Sequence, residues 1–146
     1  MPKVLIIDDD PEVRTLMTTF LTAKGFEVSS AKNGAEGLAQ AQANQPDLIS
    51  LDIIMPGMDG FAVIQQLRED PFFRNVPIMV LSGMTTSDAH HKAIDAGVRT
   101  FVSKPFDYRE IVFKIRTLIA SNSLFTAKAA PISDPPLAPS ISAPSP

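Results

Sequence analysis

The sequence predicts an α/β protein built on a doubly wound parallel sheet of five strands, each followed by a helix. Three observations carry this. Short apolar runs alternate with segments of helical period along the chain, the pattern of parallel βαβ units with right-handed crossovers. Residues 4–7, 48–51 and 78–81 are apolar almost throughout, as strands buried on both faces require. Four of the runs also lead directly into reactive polar residues: Asp8-Asp9, Asp52, Ser82 and Lys104. In a parallel sheet these strand ends share one edge, where open α/β sheets bind ligands.

The elements follow in order. After the first strand, Asp10-Pro11-Glu12 supplies a helix N-cap, a first-turn proline and an acid favoured by the helix dipole. Val13, Leu16, Met17, Phe20 and Leu21 recur at helical spacing, and Lys24-Gly25 closes that helix. Residues 27–30 form a short, more polar strand suited to a sheet edge. Residues 33–43 read as the second helix and 47–51 as the third strand. Asp59-Gly60 opens a third helix that runs through Leu67, with Pro71 marking its end. Residues 77–81 form the fourth strand, and Thr85-Thr86-Ser87-Asp88 caps a helix that stops at Gly97. Residues 99–103 are the fifth strand and 107–119 the last helix.

The character of the chain then changes. Residues 127–146 hold Pro131, Pro135, Pro136, Pro139, Pro144 and Pro146 among alanines and serines. Such a segment cannot bury enough apolar surface to offset its ordering entropy. The expected organisation is one folded domain over residues 1–121 and a Pro/Ala/Ser-rich disordered tail, or a truncated linker, over 122–146.

Composition narrows the function. A length of 146 residues suits one domain, and 45% hydrophobic residues can fill its core. A net charge of −3 gives no basic footprint for direct nucleic-acid binding. Without cysteine there is neither a disulfide framework nor a thiolate metal site, which suits the cytoplasm. The opening Met1-Pro2-Lys3 leads to acids too soon for a signal peptide. No apolar run approaches the roughly 20 residues of a membrane span. A cytoplasmic protein without membrane insertion is expected.

The chemistry lies in the strand ends. Alone, Asp8-Asp9-Asp10 reads equally well as a solvated turn with Asp10 as the helix cap. A third acid, Asp52, at the end of another central strand favours a site. Adjacent carboxylates are costly to bury without a cation, and oxygen ligands beside phosphate suit Mg²⁺. Lys104 precedes Pro105, and an X-Pro bond there is a candidate cis peptide that would set the lysine's direction. A lysine facing such a site can neutralise charge on a transferred group. With Ser82 as a further donor, these residues are what phosphoryl transfer needs. His90 and His91 are adjacent on a helix and point about 100° apart, which argues against a shared metal site.

In this order and spacing, Asp8-Asp9, the stretch from Leu51-Asp52 to Asp59-Gly60, Ser82-Gly83, Asp95-Ala96-Gly97 and Phe101-Val102-Ser103-Lys104-Pro105-Phe106 resemble the CheY-like receiver domain of two-component response regulators. The resemblance runs from Lys3 to about Ala120. It implies a flavodoxin-like (βα)5 fold with strand order 2-1-3-4-5, the order known for the chemotaxis receiver CheY. It implies Asp52 as phosphoacceptor, charged from a phosphohistidine on a sensor histidine kinase or a phosphotransfer protein. Asp9, Asp52 and the backbone carbonyl of Ile54 would bind Mg²⁺, with Asp8 acting mainly through water. Ser82 and Lys104 would bind the phosphoryl oxygens. Ser82 and Phe101 would form the switch, and the fourth helix, fifth strand and fifth helix the output face towards an effector or a second copy. Phe101 lacks the hydroxyl of the tyrosine common at its position. Ile54 and Met84 occupy the two positions that flank the path of hydrolytic water and would tune dephosphorylation.

The function expected is a phosphorylation-controlled signalling switch without an output domain of its own, catalysing only its own phosphorylation and dephosphorylation. Two alternatives stand beside it. A degenerate receiver used for docking would not need suitable residues at every site position. An aspartate-nucleophile phosphatase usually carries an acid two residues after the nucleophile, where this chain has Ile54.

Overall fold

The structure is a computed structural model that describes residues 1–55, 58–83, 87–98 and 100–129. Strand β1 (Lys3–Ile7) leads to helix α1 (Pro11–Ala23), then β2 (Glu27–Ala31), α2 (Gly34–Asn44) and β3 (Leu48–Leu51). A two-stranded ribbon, β4 (Ile54–Met55) and β5 (Met58–Asp59), precedes α3 (Gly60–Glu69). The chain continues through β6 (Ile78–Ser82), α4 (Ser87–Asp95), β7 (Thr100–Ser103) and α5 (Tyr108–Ala129).

The main sheet is parallel, in the order β2-β1-β3-β6-β7. Counting its five strands alone, this is 2-1-3-4-5. β1 and β3 are central; the more polar β2 and the short β7 take the edges. Register aligns Ile7 with Leu51 and Ser82 with Ser103, so the functional strand ends stand side by side.

Alternation along the strands builds two cores. Leu5, Ile7, Ile49, Leu51, Ile78 and Val80 pack with Val63, Ile64 and Leu67 of α3, Ala41 of α2 and Ala93 of α4. Val4, Ile6, Leu48, Met79, Leu81 and Val102 pack with Met17 and Leu21 of α1 and Ile111, Val112 and Ile115 of α5. Helices on both faces explain why the central strands are apolar throughout rather than alternating.

Local signals fix the ends. The Asp10 side chain accepts from the Glu12 amide at 2.9 Å, with Pro11 opening α1. The Asn33 side chain accepts from the Glu36 amide at 2.8 Å and caps α2. Gly25, at φ +96°, takes the left-handed turn after α1 at little steric cost. Among the described residues, no helix is long and apolar enough to cross a membrane.

Two expectations are corrected. The ribbon β4–β5 was not foreseen. Strands of two residues are too short for a periodic signal. The last helix was expected to end at Ile119 but continues to Ala129. Ser121-Asn122-Ser123 are polar but are not helix breakers, and no proline or glycine follows until Pro131. The rest of the expected tail, residues 130–146, lies outside the described residues, as do Pro56, Gly57 and Met84.

Candidate functional site

The site stands at the carboxyl edge of the sheet. Sheet hydrogen bonding continues one residue past the strands: the Asp8 amide donates to the Ala31 carbonyl at 3.1 Å and the Asp52 amide to the Ile7 carbonyl at 2.9 Å. The Lys104 amide donates to the Ser82 carbonyl at 3.0 Å. Asp8, Asp52 and Lys104 are therefore carried on the sheet itself rather than on free loops, which limits their displacement.

Asp8 and Asp52 are buried, at 1% and 5% exposure, whereas Asp9 is exposed. Lys104 Nζ bridges the two buried acids, 2.9 Å from Asp8 Oδ2 and 3.0 Å from Asp52 Oδ2. Desolvation by burial pulls the Lys104 pKa down. Hydrogen bonds to Asp8 and Asp52, with their charges, outweigh it and leave the pKa raised. One oxygen from each of Asp8, Asp9 and Asp52 lies within 4.8 Å of the others. Three carboxylates face one ammonium, so the cluster keeps an excess of negative charge. Its hard oxygen donors fit a divalent cation of the Mg²⁺ type.

The other candidates are placed as follows. Ser82 is buried at the last position of β6. Phe101 is half-buried on β7 and packs against the core shared by α2, α3 and α4. The Lys104–Pro105 peptide is cis. The backbone of Ile54 lies in β4, two residues beyond Asp52. Gly60 is needed for close approach: a Cβ there would fall 2.5 Å from Ile53 Cα, beside Asp52.

Two residues were not singled out from the sequence. Arg14 Nη1 donates to the Asp8 carbonyl at 2.7 Å. Its only sequence signal was a place on α1 one turn after the Asp10 cap. Ser50 is buried in β3 between Ile6 and Met79, and its hydroxyl has no partner among the described residues. A lone serine inside an apolar strand was the visible sign.

Comparison with known proteins identifies the family and the fold. Residues 4–116 match the response regulator receiver domain family. The chain is 38% identical over 119 residues to the DNA-binding dual master transcriptional regulator RpaA of Synechocystis sp., covering 82% of this chain and 49% of that protein. It is 39% identical over 118 residues to the transcriptional regulatory protein PrrA of Mycobacterium tuberculosis, covering 81% and 50%. The chain thus spans about half the length of these relatives. The structure is similar to the Vibrio cholerae chemotaxis protein CheY4, with TM-score 0.77, 30% identity, and 81% and 98% of the two chains covered. A response regulator from Chloroflexus aurantiacus is also similar, with TM-score 0.76, 31% identity and coverage of 82% and 99%. A family match over most of the fold, on a sheet whose carboxyl edge gathers these acids and this lysine, shows that the chain belongs to the response regulator receiver domains of two-component systems.

Proposed function

We propose that this chain is a phosphorylation-controlled signalling switch in which Asp52 accepts a phosphoryl group from a phosphohistidine on a sensor histidine kinase or a phosphotransfer protein. The observation that carries this is the Lys104 ammonium set between Asp8 and Asp52, with Asp9 beside them. A carboxylate oxygen of Asp52 attacks phosphorus as the bond to the donor nitrogen breaks. Lys104 pairs with the transferred group and Ser82 donates a hydrogen bond to one of its oxygens. Asp9, Asp52 and the Ile54 carbonyl would hold Mg²⁺, with Asp8 acting through water. Bound there, the ion would neutralise phosphoryl charge.

Ser82 and Phe101 would relay the change to the face of α4, β7 and α5, where Ile94 and Phe113 are exposed apolar side chains. That face suits a downstream effector or a second copy of the chain. The proposed setting is the cytoplasm. Ile54 in place of an acid favours a switch over a phosphatase.

Acetyl phosphate with and without Mg²⁺, followed by intact mass, tests the reading. A gain of one phosphoryl group only with Mg²⁺ supports it. No gain with Mg²⁺ would favour a docking module, and turnover of a general phosphate ester an enzyme.

A further inference from the structure

Asp9 is held from both sides, and one of the two holds comes from a residue with no part in the chemistry above. Every polar atom of Asp8 is engaged. Its amide donates to the Ala31 carbonyl, Oδ1 accepts from the Asp10 amide at 2.9 Å, and Oδ2 accepts from Lys104 at 2.9 Å. Its carbonyl accepts from Arg14 at 2.7 Å. The Asp9 carboxylate, by contrast, is exposed and has no hydrogen-bond or ion-pair partner among the described residues. Its direction is set by its backbone. Of the two peptide units that flank it, one carries the Asp10 amide, fixed by Asp8 Oδ1. The other carries the Asp8 carbonyl, fixed by Arg14. Arg14 reaches back from inside α1, where its own amide donates to the Asp10 carbonyl at 3.1 Å, so the grip comes from a rigid element.

We propose that Arg14 is a positioning residue for the cation site: it fixes the Asp8–Asp9 peptide and thereby the direction of the Asp9 carboxylate. The proposal rests on reading Asp9 as a ligand of Mg²⁺. Charge alone makes the opposite prediction. A guanidinium bound to the Asp8 carbonyl adds positive charge near the cluster and repels a divalent cation, so a purely electrostatic Arg14 would weaken Mg²⁺ binding and its removal would tighten it. Orientation works the other way, as for groups that aim metal ligands from the next layer out.

The test is a Mg²⁺ titration followed by amide chemical shifts for wild type, Arg14→Met, Arg14→Lys and Asp9→Asn, with metal-free melting of each. Arg14→Met should weaken Mg²⁺ binding roughly tenfold or more. Arg14→Lys, which keeps the charge on a differently shaped donor, should lie between. With acetyl phosphate, Arg14→Met should need more Mg²⁺ for half-maximal labelling but approach the wild-type rate at saturation. Wild-type or tighter binding by Arg14→Met, while Asp9→Asn loses binding, would overturn the role of Arg14 and leave the site reading intact. Unchanged binding by Asp9→Asn would remove that reading and the proposal with it. Should Arg14→Met fail to fold, Arg14→Lys decides: weaker binding at constant charge supports positioning, and unchanged binding overturns it.

Discussion

Lys104 Nζ lies 3.0 Å from Asp52 Oδ2 while also holding Asp8 at 2.9 Å. One side chain thus ties the end of β7 to the ends of β3 and β1, across the full width of the site. Because its pKa is raised in the fold, Lys104 adds stability that is fully present below the ordinary lysine value of about 10.4. That stability is lost as pH rises through the higher folded value. Tyr108 is also raised, by burial and then by Glu12 and Asp10, and adds a loss of the same sign from its ordinary value near 10 upward. Denaturation of the metal-free protein should therefore become easier above about pH 10. Lys104→Met should be less stable at neutral pH and show a flatter alkaline slope. An equal slope in both proteins would contradict the bridge.

Ser50 should be replaceable with gain. An unpartnered buried hydroxyl costs about 1–3 kcal/mol, and Ser50 is 1% exposed with none of the site's chemistry assigned to it. Ser50→Ala should raise stability by roughly 1 kcal/mol in urea denaturation, less any loss from the small void. Labelling by acetyl phosphate should be unchanged. A less stable variant would mean that the hydroxyl has a partner in solution.

Gly60→Ala should do the reverse. The new methyl would meet Ile53 Cα, a backbone atom that cannot swing aside. Overpacking of this kind typically costs about 1–3 kcal/mol. Here it would also push on the residue that follows Asp52. Both melting temperature and labelling rate should fall. An unaltered labelling rate would show that the approach of α3 to Ile53 does not set the site.

Much of this was legible in the sequence, because strands buried on both faces leave a continuous apolar run and helix caps leave short polar signatures. The acids, Ser82 and Lys104 could be placed on one edge since parallel strands end together. Arg14 was not legible as a site residue. Its contact is with a carbonyl, and side-chain chemistry does not announce which backbone atom it will meet. Gln45 was missed for a related reason: it closes α2 at φ +49°, where a glycine or asparagine would have signalled the turn. The continuation of α5 past Ile119 had a weak signal, since polar residues 121–123 follow the apolar stretch although no helix breaker stands there.

On the proposed reading, Ile54 and Met84 stand at the two positions that flank the path of hydrolytic water, and neither residue type carries a hydrogen-bonding group suited to orienting it. Ile54→Asn combined with Met84→Glu should speed dephosphorylation. A tenfold change corresponds to about 1.4 kcal/mol of barrier. Loss of phosphate from purified phosphoprotein at fixed Mg²⁺ measures it, and equal or slower loss in the double variant would reject the role.

Mapping of the phosphoryl group after reaction with acetyl phosphate and Mg²⁺ bears most directly on the switch. Wild type should gain one group, located on the peptide that contains Asp52. Asp52→Asn, with its fold verified by circular dichroism, should gain none under the same conditions. Labelling of Asp52→Asn at the wild-type rate, or a wild-type label located on another residue, would contradict Asp52 as the acceptor.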